Sequence, residues 1–193
     1  MMPNPEPPIR AGLAAPASAE PALPVAAILD NGGEDVDALL ARFACQQRRA
    51  GRRVHGLVMT RAEGSAGCAG DMVLVDVATF DEYLVSQPLG QGSGACRADP
   101  QGFARASMVL RRALDEAPEL VVCNRFGGLE AEGGGFAAEL LALMAAGVPL
   151  LTAVASRHLA AWQHFSGGAA LLPARAEIVG DWLARTLPAH AHD

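Results

Sequence analysis

Short, wholly apolar runs alternate along this chain with stretches whose apolar residues recur every three or four positions. Pro24–Leu29, Val54–Met59, Leu120–Cys123 and Leu150–Val154 are continuous apolar runs bounded by turn residues, the pattern of strands covered on both faces. Between and after them, Val36, Leu39, Leu40 and Phe43 repeat at helical spacing. So do Phe103, Leu110 and Leu114; Phe136, Leu140, Leu143 and Met144; and Leu159, Trp162 and Phe165, the last group on a short helix capped by Ser156. A short strand at Ala169–Leu172 and a closing helix over Pro173–Leu187 complete the series. Parallel strands need crossover connections, so the alternation predicts an α/β fold: a mostly parallel sheet with helices on both faces, three layers in all.

The punctuation agrees with this reading. Gly51 suits a left-handed cap after the first helix. Asp99-Pro100 is a helix start, an N-cap acid followed by proline at the first helical position, and Pro118 ends that helix. Gly147 and Pro149 stop the next one. Asp71–Val77 and Tyr83–Val85, with a turn at Ala78–Glu82, read as a β-hairpin inserted into the alternating pattern.

The Pro- and Ala-rich stretch 1–24 lacks both a basic start and a continuous apolar segment, so it reads as a disordered leader rather than a secretory signal. Residues 25–187 read as a single α/β domain, and 188–193, with His190 and His192, as a flexible tail. No apolar run approaches the roughly 18 residues that a membrane span requires. A net charge of −6 gives no basic face for nucleic acid or anionic lipid. The four cysteines, Cys45, Cys68, Cys96 and Cys123, form no CxxC or CxxH pair; Cys68 and Cys96 lie in Gly-rich loops, where they could be reactive or bind a metal, and otherwise read as unpaired thiols of a reducing cytoplasm. Cys45 and Cys123 fall in helical and strand patterns, where cysteine is normally a small buried apolar residue.

In sheets of this kind ligands bind at the carboxyl ends of the strands. That rule selects the loops Asp30–Asp35, Thr60–Gly70, Asn124–Gly135 and Ala155–His158, with Gly90–Arg97 beside them. The first loop offers Asn31, Gly32 and Gly33 at the place where a nucleotide-binding fold cradles phosphate, but it also carries Asp30, Glu34, Asp35 and Asp37. A carboxylate about 6 Å from a phosphate charge costs roughly 3 kcal/mol at an effective dielectric near 20. A helix N-terminus returns only about 0.3–2 kcal/mol. This loop therefore cannot hold a triphosphate in the usual way unless a divalent cation reverses the sign, and its acids otherwise serve as caps of the first helix.

The loop after Cys123 puts an amide, a guanidinium and five glycines at the sheet mouth, with Glu130 and Glu132 beside them. Asn124, Arg125, Gly127 and Glu130 are candidate ligand-binding residues. Arg125 could hold an oxyanion bidentately, and the acids could take a metal, hold a helix end or pair with Arg125. Arg97 and Arg157 supply two further cations to the same mouth if their loops converge. No G-x-S-x-G or H-E-x-x-H is present, so no catalytic residue, metal site or cofactor is assigned.

The segments GLVMTR, DMVLVDVAT, SQPLGQGSGACRADP, NRFGGLEAEGGGF and GVPLLTAV resemble a bacterial family of uncharacterised proteins whose genes often lie near molybdate-uptake genes. The resemblance spans about residues 24–185. That family is in turn similar, more distantly, to compact P-loop nucleoside triphosphatases with an Asp-Glu-Ile-Gly-Lys-Met-Glu segment after the central strand. The resemblance implies a P-loop-NTPase-like scaffold. Matched residue by residue, Asn124 stands for the metal-holding acid, Arg125 for the acid after it, and Gly127 and Glu130 are retained. Val36 and Asp37 stand where the phosphate lysine and the magnesium-binding hydroxyl belong, so both catalytic motifs are degenerate.

Three functions follow as expectations. The first is a non-hydrolytic ligand-binding or regulatory protein that takes a small molecule or an oxyanion such as molybdate. The second is a divergent magnesium-dependent nucleotide-binding enzyme. The third is a protein-interaction module. No nucleic-acid partner and no membrane insertion are expected.

Overall fold

The computed structural model describes residues 23–60, 72–88 and 96–187. The expectations for the leader as far as residue 22, for Cys68 with the loop around it, for Gly90–Gly94 and for the tail lie outside the described residues, as do the side chains of Cys96 and Arg97.

The strands are β1 (Val25–Asp30), β2 (Val54–Thr60), β3 (Val73–Asp76), β4 (Glu82–Leu84), β5 (Ser86–Pro88), β6 (Cys96–Ala98), β7 (Leu120–Phe126), β8 (Leu150–Ala155) and β9 (Ala170–Pro173). The helices are α1 (Val36–Arg49), α2 (Pro100–Glu116), α3 (Gly128–Ala131), α4 (Ala137–Ala145), α5 (Leu159–Ser166) and α6 (Ala176–Thr186), with a 3₁₀ turn at Ser156–His158. Seven strands form one sheet in the order β4-β3-β2-β7-β8-β1-β9. β2, β7, β8, β1 and β9 run parallel, while β3 and β4 are the expected hairpin, antiparallel on one edge. β5 and β6 pair separately as a two-stranded ribbon.

The sheet divides the interior in two. On one face Leu57, Val121, Cys123 and Phe126 pack with Val109 and Leu110 of α2, Leu140 and Leu143 of α4, and Trp162 of α5. On the other, Ile28, Val58, Val122 and Leu151 pack with Leu39, Leu40 and Phe43 of α1 and Val179, Trp182 and Leu183 of α6. This is the mostly parallel, three-layer architecture read from the alternation, and it is P-loop-NTPase-like, as the family resemblance implied. At Gly56 the sheet requires glycine: φ is +122°, and a β-carbon would lie 1.9 Å from the carbonyl oxygen of Val122.

Several local readings are corrected. Of the expected α2 stripe, Leu110 is fully buried and Phe103 and Leu114 pack partly buried against the core, but the most buried face also includes the small residues Gly102, Ala106 and Ala113, which let that helix lie close to the sheet. The closing helix starts at Ala176 because Pro173 finishes β9. Cys45 lies on the exposed side of α1, not in the core. Ser156 caps no helix; its hydroxyl donates to the backbone carbonyl of Asp30 at 3.3 Å. α3 lies hidden among glycines that suggested only loop.

Candidate functional site

β1 and β8 are neighbours, with Asp30 opposite Ala155, and their following helices leave to opposite faces of the sheet. The crevice between their carboxyl ends is therefore the switch point where ligands bind in folds of this kind. The Ser156–Asp30 hydrogen bond ties its two sides together.

The β1–α1 turn satisfies its own donors. Asp30 accepts from Gly32 N–H at 3.0 Å, Asn31 Oδ1 accepts from Gly33 N–H at 3.3 Å, and Asp35 accepts from Ala38 N–H at 3.1 Å as the N-cap of α1. Glu34 pairs with Arg42 across the exposed side of the helix. Asp37 is buried in the first turn of α1.

Arg125 enters this turn from β7. Its Nε donates to Asp37 Oδ1 at 2.7 Å and its Nη1 to Asp30 Oδ2 at 2.5 Å, so one guanidinium bridges two carboxylates. The bridge depends on a β-bulge. The register of β7 against β8 passes from Val122 opposite Leu151 to Arg125 opposite Ala153, three steps on one strand against two on the other. Strict alternation would put Arg125 on the face of Val121 and Cys123, beneath α2 and α4. The extra residue turns it to the α1 face and leaves Asn124 lining the other side with Met59, Phe103 and Phe136.

The electrostatics follow from these contacts. The Arg125 hydrogen bond, with smaller help from Gly32 N–H and the charge of Arg157, holds the Asp30 carboxyl below the usual carboxylate range. Burial alone would lower the pKa of Arg125, but hydrogen bonds to Asp37 and Asp30 outweigh it and raise it. Burial, with the nearby charge of Glu130, pushes the Cys123 thiol far above its ordinary value, so it stays protonated and inert.

Asn124 is 8% exposed, and its Oδ1 is buried without a hydrogen-bond partner among the described residues. Glu130, 5% exposed, braces its own loop, Oε2 accepting from Gly127 N–H at 2.9 Å and Oε1 from Phe136 N–H at 3.1 Å. Gly135, at φ +54°, makes room for that carboxylate; a β-carbon there would lie 2.0 Å from Oε1. Arg157 is exposed, with Nε donating to His158 Nε2 at 3.1 Å.

Of the ten candidate residues, the structure thus gathers Asn31, Gly32, Gly33, Asp37 and Arg125 around the β1–α1 turn, with Arg157 close enough to act on Asp30. Asn124, Gly127 and Glu130 line the neighbouring cavity on the other face, and the Arg97 side chain is not described. Sequence reasoning offered Glu130 and Glu132 as partners for Arg125 and missed Asp30 and Asp37. The available signal was a lone guanidinium facing an acid-rich turn across one sheet mouth. Among the described residues no group of three or more His, Cys, Asp or Glu could hold a metal ion, and no helix is long and apolar enough to cross a membrane.

Comparison with known proteins adds to this geometry. The chain is 42% identical over 144 residues to the "Molybdenum import ATP-binding protein ModC 2" of Bradyrhizobium diazoefficiens. That match covers 75% of this chain and 16% of the relative, so the chain spans about a sixth of the length of the protein it matches. No solved structure matches. Residues 25–182 match the family described as "Protein of unknown function (DUF2478)", and the chain belongs to that family.

Proposed function

We propose that this chain is a non-hydrolytic, ligand-binding regulatory domain that uses a P-loop-like scaffold and serves molybdenum import. The Arg125 bridge carries the reading. A phosphate-binding turn must leave its N–H donors free and place a cation beside them. Here the donors of Gly32, Gly33 and Ala38 are taken by the turn's own side chains. Arg125 is consumed by Asp30 and Asp37, which leaves that trio at a net charge of −1. All fifteen basic residues of the chain are arginines, so no phosphate lysine exists in it.

The same charge balance disfavours a free oxyanion, because the guanidinium expected to hold one already carries two carboxylates. The link to molybdenum import rests on the similarity to the Bradyrhizobium protein. A match covering most of this chain and a sixth of an ATP-binding protein is the pattern of a module that accompanies an ATPase rather than being one.

The test measures phosphate release from ATP and GTP with magnesium, alongside thermal shifts with nucleotide and with molybdate. The expected result is background turnover, equal in the unaltered protein and in Arg125→Ala, and no saturable shift at millimolar nucleotide or molybdate. Turnover lost in both Arg125→Ala and Asp37→Ala would overturn the reading.

A further inference from the structure

A cavity of about 210 Å³ lies on the α2 side of the sheet, across β7 from the Arg125 bridge. Met59, Met72, Phe103 and Phe136 form its apolar walls, and Asn124 and Glu130 line it as well. An apolar cavity of about 150 Å³ accommodates benzene, so this one has room for two fused rings.

Its polar end is unusual. Asn124 Oδ1 is buried and, among the described residues, has no hydrogen-bond donor, a deficiency that native interiors rarely tolerate. Both oxygens of Glu130 already accept backbone N–H groups, but a carboxylate oxygen has capacity for a second donor. Among the described side chains, the polar wall thus offers two acceptor groups, Asn124 Oδ1 and the negatively charged Glu130 carboxylate; Arg125 lines the cavity as well, but its guanidinium is spent on Asp30 and Asp37. Such a wall repels anions and calls for N–H groups. Flat π-faces fit methionine sulfur and phenyl rings.

From this we infer that the cavity beside Asn124 binds a neutral, planar, fused heterocycle whose N–H or NH₂ edge donates to Asn124 Oδ1. The inference deepens the ligand-binding reading above by naming the class of ligand. The two fail separately: turnover of ATP would overturn the first and leave the cavity untouched, and an empty cavity would leave the absence of hydrolysis standing.

The experiment titrates the full chain with 2-aminopurine, read by its fluorescence, and with quinoline, a fused ring of the same size that has no N–H donor. A site whose buried acceptor must be paired rejects the analogue that cannot pair it. The expected result is saturable binding of 2-aminopurine with quinoline at least tenfold weaker. Asn124→Leu, which replaces the amide at similar volume, is expected to weaken 2-aminopurine at least tenfold, leave quinoline unchanged and melt no lower than the unaltered protein. Absent binding, or equal affinity for the two probes on the unaltered protein, overturns the proposal, and that comparison stands even if the variant fails to fold.

Discussion

Arg125 is a half-buried cation whose neighbours are all decided by geometry. Removing it leaves two carboxylates facing each other at the end of β1 and the start of α1. Truncating one partner of a buried ion pair costs about 3–5 kcal/mol, and the partial exposure of this trio puts Arg125→Ala at the lower end, about 3 kcal/mol by urea unfolding at pH 7. Arg125→Lys keeps the charge but loses the planar fork that spans two acids, so its stability is expected between the two. The acid limb carries a second expectation. The folded pKa of Asp30 lies below its ordinary value of 3.8, so its contribution is complete above that value and vanishes as pH falls through the lower folded one. Unfolding midpoints measured from pH 7 to pH 2 should therefore fall less steeply below pH 4 in Arg125→Ala than in the unaltered protein. The residues of this site were legible as types, a guanidinium and an acid-rich turn at one sheet mouth. Their pairing was not, because it depends on an extra residue in β7 that leaves the apolar pattern of Leu120–Cys123 unchanged.

At the scale of elements, the edge hairpin packs against α2 through Leu74 and Tyr83 and is also tied to it by one buried charge. Asp76 at the end of β3 is fully buried; it accepts from Arg112 at 2.6 Å and from Ala78 N–H at 2.7 Å. Arg112→Ala strands that carboxylate and is expected to cost about 3 kcal/mol, measured as the shift in urea midpoint at constant slope. Gly135→Ala forces a β-carbon into the Glu130 carboxylate at a left-handed backbone position. It is expected to cost about 1–3 kcal/mol, with the largest chemical-shift changes at the amides of Gly127 and Phe136. Helix boundaries marked by local chemistry were readable: Asp99 caps α2 through Gln101 and Gly102 N–H, and α2 ends at Glu116, with Ala117 as its C-cap just before Pro118. α3 was not readable, because four residues give no periodicity and its bracing comes from Glu130, whose partners lie up to six residues away. The β5–β6 ribbon was missed for a similar reason: its strands are three residues each, too short for alternation to show.

For the molecule as a whole, one sheet serves two interiors, and each interior contains one of the two tryptophans. Trp162 packs edge-on against Phe126 with ring centroids 5.3 Å apart, on the α2 face, while Trp182 lies with α1 and α6 on the other. Because every strand of the parallel core contributes side chains to one or both interiors, neither should melt alone. Single-tryptophan variants, Trp162→Phe and Trp182→Phe, are expected to report coincident denaturation curves by fluorescence; separated midpoints would mean that the two layers unfold independently. The three-layer plan was legible because buried strands and amphipathic helices leave different periods in the sequence. The strand order was not, since crossover length does not say how many neighbours a connection skips.

The bulge in β7 makes the electrostatics of this mouth a matter of parity. Shortening that strand by one residue would exchange the two walls, sending a positive charge toward phenylalanine and methionine and an uncharged amide toward two acids, with no change in composition nearby. At this position the spacing of the chain carries as much chemical information as the identity of its side chains.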